Sequence, residues 1–259
     1  LRAYKSATKG RTRVIHNAKS VGMEAASNVG LRASEGEFCV IHDDDDTWHP
    51  NFLEKTVGHL TSGKPPYYAG VATLSTTIME TIEGGEIREL SRTPFNPWMR
   101  HITLFRIAAE NMFAPISFLY RRSVHDEVGY FDESLPVLGD WDFNLRVLSK
   151  FDVAVVPELL AYYHRRGGLM TGDYSNSVVG RADDHQLYTT VIRNKLLRKD
   201  FESGKQGIGW LVNTAWALDA ISQRLHRLED AIHNNSGNNV AKYIGESVRL
   251  GKTFLRRFG

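Results

Sequence analysis

The sequence has little of several things. Among 259 residues there is one cysteine, Cys39. A single thiol excludes an internal disulfide framework and a cysteine-built zinc site, and it points to a reducing compartment. No apolar run approaches the roughly 18 residues that a membrane-spanning helix needs. The opening Leu1-Arg2-Ala3-Tyr4-Lys5 lacks the apolar stretch of a secretory leader, so a cytoplasmic location is expected. Net charge is almost absent: 32 basic against 30 acidic residues leave +2, so no global field selects nucleic acid, and no nucleic-acid partner is expected. Glycine-rich phosphate signatures are missing as well. No Gly-x-Gly-x-x-Gly follows a strand. Gly251-Lys252-Thr253 mimics the end of a P-loop, but Gly245 lies one position too far away and no strand precedes it. No Gly-x-Ser-x-Gly elbow supports a serine hydrolase. There is no internal repeat and no low-complexity tract, so the composition is that of an ordinary globular protein. An initiating methionine is absent too, and the chain is expected to be a piece of a longer one.

What is present alternates. Arg13-Val14-Ile15-His16 reads as a short strand. Met23, Ala26, Val29, Leu31 and Ala33 suit a helix that Gly36 would cap. Phe38-Cys39-Val40-Ile41 has the continuous apolar character of a buried strand. A helix is expected from Pro50 through Leu60. The strand–helix alternation argues for an α/β sheet with parallel strands, in which ligands bind beyond the strands' carboxyl ends. Further along, strands are expected over 67–77 and 81–90, joined at Gly84-Gly85. A helix is expected over 98–111, a strand over 116–120, a short helix over 124–128 capped at Gly129, a helix from Gly139, and a strand over 153–156 halted by Pro157. Beyond about residue 171 only helical patterns remain. The expected division is therefore a sheet-containing domain over 1–170 and a helical extension over 171–259.

The chemistry concentrates where the strand at Phe38 ends, in His42-Asp43-Asp44-Asp45-Asp46. Four successive carboxylates raise one another's pKa unless something neutralises them. A solvated acidic turn is one reading. A hard-cation site is the other, because magnesium or manganese takes oxygen ligands and shares them with substrate phosphates. The missing glycine and distal glutamate exclude an EF-hand. A second pair, Asp140 and Asp142, flanks Trp141 at the start of a helix. Either acid is open to a capping role. Facing a metal-bound diphosphate, Asp140 would instead serve as a general base. Trp141 offers a face for a sugar ring or belongs to the core. His164 is open to a structural role or to completing the metal's coordination sphere.

These motifs resemble family-two glycosyltransferases of the GT-A fold. The resemblance rests on Ala26-Ser27-Asn28-Val29-Gly30-Leu31, on Ala33 through Phe38, and on Ile41 through Pro50, which looks like the segment entering the family's Asp-x-Asp motif. It rests also on Val128-Gly129-Tyr130-Phe131-Asp132-Glu133 followed by Gly139-Asp140-Trp141-Asp142-Phe143-Asn144-Leu145-Arg146. Together these span about residues 13–168. The resemblance implies a GT-A-like (Rossmann-like) mixed sheet flanked by helices. It implies Asp43 and Asp45 as the Asp-x-Asp pair, with Asp45 contacting Mn2+ or Mg2+ and His164 touching the metal or diphosphate. Asn28, Asp43, Asp44 and Asp46 would meet the nucleotide-sugar, a UDP- or dTDP-sugar. Asp140 would be the catalytic base, and Trp141 and Asp142 would face the acceptor. The implied reaction is an inverting transfer to a hydroxyl of a glycan or lipid-linked acceptor, in bacterial surface polysaccharide synthesis. The sequence departs from the family at Ser27, where members often carry arginine, and at Gly139, where the residue before the base is usually acidic. Members also open with a strand and a nucleotide-binding half, so the chain is expected to lack its first strand or strands.

Two further features concern partners. Val240, Ile244, Val248, Leu255 and Phe258 form a stripe beside Lys242, Arg249, Lys252, Arg256 and Arg257, and residues 240–258 are expected to pack on the core or lie on the inner face of the cell membrane. Ile221, Leu225, Leu228 and Ile232 form another stripe, suited to internal packing or to a homo-oligomer. The competing functions are a metal-dependent phosphohydrolase or nucleotidyltransferase using Asp43–Asp46, and a non-catalytic scaffold retaining the fold.

Overall fold

The computed structural model describes residues 12–63, 67–83, 86–166 and 182–233. Helix α1 (Met23–Ala33) leads into the short strand β1 (Phe38–Cys39), an acidic turn, and the short strand β2 (Thr47–Trp48). Helix α2 (Phe52–Thr61) follows, burying Phe52, Thr56 and Leu60 at four-residue intervals on one face. Strands β3 (Gly70–Glu83) and β4 (Glu86–Phe95) form a hairpin. Then come α3 (Leu104–Ala109), a 3-10 turn at Pro115–Ser117, β5 (Phe118–Arg121), α4 (Val124–Val128), α5 (Gly139–Leu148) and β6 (Val153–Arg166). Two long helices, α6 (Ala182–Ser203) and α7 (Ile208–His233), complete the described elements.

The sheet order is β1-β5-β3-β6-β2, with β4 also paired to β3. Only β3 and β6 run parallel; every other pairing is antiparallel. The expected mixed α/β sheet is therefore present, and the wholly parallel one suggested by the first sixty residues is not. The reason lies in length. β1 and β2 are two residues each, and they join the sheet through antiparallel neighbours β5 and β6. The core lies between α2 and the sheet, where Phe52, Val71, Ile116, Leu119, Ala154 and Ala161 cluster. Trp48 stacks on Phe52 with ring centroids 4.5 Å apart, and its indole N–H donates to the carbonyl of Ile116 at 2.8 Å. An indole buried with its donor satisfied contributes area without an unpaired polar atom.

Several local expectations are corrected. Residues 13–16 form no strand. Helix α1 closes at Ser34, whose N–H bonds the carbonyl of Leu31, and not at Gly36. The helix expected over 98–111 is only α3, because Asn96 turns the chain with φ 49° and accepts the Met99 N–H at 2.9 Å. Strand β6 does not stop at Pro157. Its register with β3 shifts there, Val156 facing Thr73 and Leu159 facing Leu74, so a bulge absorbs the residue that cannot donate to a ladder.

The chain divides into two compact units, Leu1–Ile107 with Asn111–Ile192, and Ala108–Glu110 with Arg193–Gly259. Within the second, Arg193 is buried and donates to the carbonyls of Ala108, Ala109 and Val212. Burial pushes its pKa down to about 10. Among the described residues no helix is long and apolar enough to cross a membrane. Residues 240–258 lie outside the described residues.

Candidate active site

The four aspartates occupy the turn between β1 and β2, closed by the Asp46 N–H bonding the carbonyl of Asp43 at 3.3 Å. Because β2 pairs antiparallel with β6, Asp46 meets the far end of β6. Its Oδ1 accepts the backbone N–H of His164 at 2.9 Å. Its Oδ2 is buried and has no hydrogen-bond partner among the described residues. Burial, which outweighs the His164 N–H, drives the Asp46 pKa up to about 8, with Asp45 and Asp43 adding repulsion. Asp43 rises to about 6, first through burial and then through the charges of Asp45, Asp140 and Asp44, against the opposing pull of His42.

Asp140 therefore belongs to the same field, although it comes from another part of the chain. It sits in the first turn of α5, and its Oδ2 accepts Nδ2 of Asn111 at 2.6 Å. Asn144, one turn further along α5, donates to Asn111 Oδ1 at 3.2 Å and orients that amide. Burial raises the Asp140 pKa, and the bonds from the Trp141 N–H and Asn111 hold it back. The residue entering α5, Leu138, adopts a left-handed conformation at φ 64°. That conformation is uncommon for a leucine and is the kind of strain found where a side chain must be aimed.

Four residues that sequence reasoning missed complete the site. Glu80 is buried on β3 opposite Arg166, two positions after Ile78 opposite His164. Its Oε1 lies 2.6 Å from His164 Nδ1, while His164 Nε2 lies 3.0 Å from Thr47 Oγ1. Arg166 places Nε 3.5 Å from Glu80 Oε2 and NH1 3.7 Å from Asp45 Oδ2. Glu80 also falls where the β3–β4 register slips, between Met79 and Glu80, and such bulges re-aim side chains. The available signal was an acid at an inward position of a strand. Asn111 had no signal of its own. Glu24 is the fourth: a buried acid on α1, it packs so closely against Gly139 that a side chain there would land on it. The glycine that departs from the family pattern thus makes room for a carboxylate delivered from another helix.

Other expected residues do different work. Asn28 is buried; its Nδ2 donates to the Phe131 carbonyl at 2.9 Å and to Glu133 at 2.8 Å, and its Oδ1 accepts the Phe131 N–H. Its amide ties α1 to that loop. Trp141 is 2% exposed and bonds the Ile107 carbonyl at 2.7 Å, so it is core and presents no stacking face. Asp142 is buried and accepts Arg146 Nε at 2.8 Å, an i,i+4 pair within α5. His164, expected at the metal, has both ring nitrogens facing protein partners, Glu80 and Thr47.

Among the described residues no three His, Cys, Asp or Glu side chains converge as a metal-holding group. A closed protein cage is thus not what the turn offers. The donor set is all carboxylate, with the pKa values of Asp43 and Asp46 raised chiefly by burial and with an orphaned Asp46 oxygen. That fits a hard cation bound by one or two carboxylates and completed by ligand oxygens. Beside the turn, a cleft of about 540 Å³ is lined by Gly30 and Leu31 of α1, Phe38, Ile41, Asp43 and Arg122, among others.

The chain is an α/β fold with an acidic turn at a strand end and a second carboxylate, Asp140, within its electrostatic reach. Comparison with known proteins narrows that class of fold. Residues 1–129 match the family model described as Glycosyl transferase family 2. The match ends before Asp140 and His164. An uncharacterized glycosyltransferase of Bacillus subtilis (strain 168), YwdF, is 29% identical over 149 residues, 56% of this chain and 51% of that protein. The crystal structure of S. aureus TarS superposes with a TM-score of 0.50 at 19% identity, over 76% of this chain and 31% of that one. A mannosyltransferase from Pyrobaculum calidifontis, PcManGT, solved with GDP-Man and Mn2+, gives 0.48 at 13% identity, over 95% and 65%. The chain belongs to the family-two glycosyltransferases and has their GT-A fold, and it spans about half the length of the curated relative it matches.

Proposed function

We propose that the chain carries the catalytic centre of an inverting glycosyltransferase, moving a sugar from a nucleotide-sugar, a UDP- or dTDP-sugar, to a hydroxyl of a glycan or lipid-linked acceptor. The observation that carries this is the meeting of Asp140 with the acidic turn: it contributes to the raised pKa of Asp43 from nearly one hundred residues away. Asp140, steadied by Asn111, takes the proton from the attacking hydroxyl. Burial raises its basicity, and the Asn111 and backbone bonds keep the carboxylate aimed. The adjoining cleft receives the nucleoside. Asp43 and Asp45 would hold Mn2+ or Mg2+ together with the donor diphosphate. That ion, when bound, supplies charge stabilisation for the departing nucleoside diphosphate. Arg166 keeps Asp45 oriented, and the Glu80–His164–Thr47 chain fixes the end of β6 against the turn. A role in surface polysaccharide synthesis and a cytoplasmic setting agree with a lipid-linked acceptor.

The test is calorimetric titration with UDP and dTDP, with and without manganese, paired with transfer assays on Asp140→Asn. The expected outcome is metal-dependent binding in both proteins and transfer in the unaltered chain alone. Failure to bind either nucleotide, or undiminished transfer by Asp140→Asn, overturns the reading. Phosphate release without an acceptor would favour a hydrolase.

A further inference from the structure

Two adjacent arginines end strand β6, and they serve different faces of it. Arg166 lies opposite Glu80 on β3, and Arg165 lies opposite Met79. Successive side chains of a strand point to opposite faces. Arg166 is committed: its guanidinium lies 3.5 Å from Glu80 and 3.7 Å from Asp45. Its charge is therefore spent on the acidic turn. Arg165 makes no ion pair among the described residues. It is half-buried, and its Nε is buried with no hydrogen-bond partner among the described residues.

What holds Arg165 is an aromatic face. Its guanidinium lies 4.8 Å from the centroid of the Tyr163 ring, and that ring meets Phe95 of β4 at 6.3 Å. Such a contact positions a guanidinium without neutralising it. The same phenol locates the pair. Burial raises the Tyr163 pKa, Arg165 opposes the rise, and the charges of Asp140 and Asp46 add to it. Asp140 and Arg165 thus share one neighbourhood without pairing, and Asp140 is bonded by Asn111 instead.

A desolvated N–H without an acceptor is costly, and a ligand that brings the acceptor removes the cost. The planar fork of a guanidinium matches the oxygens of a phosphate or a carboxylate. The division of charge says whose oxygens these are. The donor diphosphate belongs with the cation at Asp43 and Asp45, on the side that Arg166 serves. The hydroxyl that Asp140 deprotonates belongs to the acceptor. An anion held by Arg165, on the Asp140 side, belongs to the acceptor as well.

We propose that the acceptor is anionic, and that Arg165, braced on Tyr163, binds a phosphate or carboxylate of the acceptor close to the hydroxyl that reacts. The inference rests on the assignment of Asp140 as the base. A phosphate joining a sugar to its carrier and the carboxylate of an acidic sugar present the same oxygens to the guanidinium, so the test carries a probe for each.

Inorganic phosphate and acetate are titrated into the whole chain, with and without saturating UDP and Mg2+, while nitrogen-15 NMR follows the Arg165 Nε resonance. At least one anion is expected to shift that resonance, and to do so with UDP bound. Tighter binding of phosphate assigns a phosphorylated acceptor, and tighter binding of acetate an acidic sugar. Arg165→Gln is expected to weaken the anion roughly tenfold, and Arg165→Lys, which keeps the charge but loses the fork, about threefold. UDP affinity in the same samples separates loss of the anion site from loss of the fold. Anions that leave the resonance unmoved overturn the proposal, as does anion binding that Arg165→Gln leaves intact. So does displacement of the anion from Arg165 by UDP, which would assign this guanidinium to the donor diphosphate. Failure of UDP to bind counts against the transferase reading alone, because the titration without nucleotide still shows whether Arg165 holds an anion.

Discussion

Glu80 is a charged residue on the inward side of a strand, a position that is costly unless the charge is paired and hydrogen-bonded. Here it is both, to His164 and Arg166. A carboxylate at Nδ1 selects the imidazole tautomer and so dictates which lone pair or proton Nε2 offers to Thr47. Replacing Glu80 by glutamine keeps the shape and an acceptor oxygen but removes the charge that balances Arg166. We expect Glu80→Gln to fold with a small loss of stability and to release Arg166 toward Asp45, tightening that contact at the cation's expense. Manganese titration of the variant should show affinity reduced by roughly tenfold, and nitrogen-15 shifts of His164 should show mixed tautomers. Unchanged affinity and a single tautomer would show that Glu80 only fills space. None of this was readable from the chain, where Glu80 is one acid in a strand-like stretch. The neighbour that gives it meaning, β6, lies some eighty residues away.

At the level of elements, the legible ones were those whose signals are local. Helix α1 matches the expected span because its apolar signals lie within eleven residues, although its expected cap did not hold, and α4 ends at Gly129, whose φ of 75° is the reason for the glycine. The acidic turn was legible for the same reason. Strand β6 was not, because Pro157 is a stop signal that only a long-range bulge against β3 can override. The buried polar face of α1, Glu24 and Asn28, was not legible as such: Glu24 lies against Gly139 and Asn28 bonds the loop at Phe131, both far off in sequence. Such long-range contacts define the next prediction. Gly70 begins β3 where β5 passes so close that an added Cβ would sit 2.5 Å from a ring atom of Phe118 and 3.0 Å from Tyr120 Cβ. Phe118 and Tyr120 are themselves buried and stacked at 5.1 Å. Neither ring can yield without disturbing the other. Gly70→Ala is expected to cost about 1–3 kcal/mol, as overpacking does, read as a lowered midpoint in denaturant with an unchanged slope. Gly58→Ala, on α2 with open space around its Cβ, is the matched control and should be neutral or slightly stabilising.

For the whole molecule, the near-neutral charge sum hides a concentration of acid that the fold itself enforces. Closing the sheet brings Asp140 to the turn and buries Asp46, and both acts make ionisation of the cluster harder in the folded chain than in the unfolded one. The consequence for stability has a definite sign. Asp46, with a pKa near 8 when folded and an ordinary one when unfolded, contributes fully below about pH 4. As pH rises, the unfolded chain releases this proton while the folded chain retains it, so stability falls until Asp46 ionises at about pH 8 and levels off beyond. Asp43 follows the same course but finishes near pH 6. His125, whose buried imidazole has a lowered pKa, acts in the other direction and only in acid. Between pH 6.5 and 8 the remaining slope from these three groups therefore belongs to Asp46. Metal-free thermal melts should show the midpoint dropping across that window. Asp46→Asn keeps an acceptor for the His164 N–H and removes that titration, so its midpoint should fall less steeply, the remaining slope including that of the buried Asp140, and should exceed that of the unaltered chain at pH 8 by about 5 °C. Manganese should raise the unaltered chain's midpoint more at pH 8 than at pH 6, because a cation binds the ionised cluster and relieves the repulsion that folding creates. A variant with an undiminished pH slope would mean that Asp46 ionises normally in the fold, and its buried oxygen, unpartnered among the described residues, would then have to be reached by water.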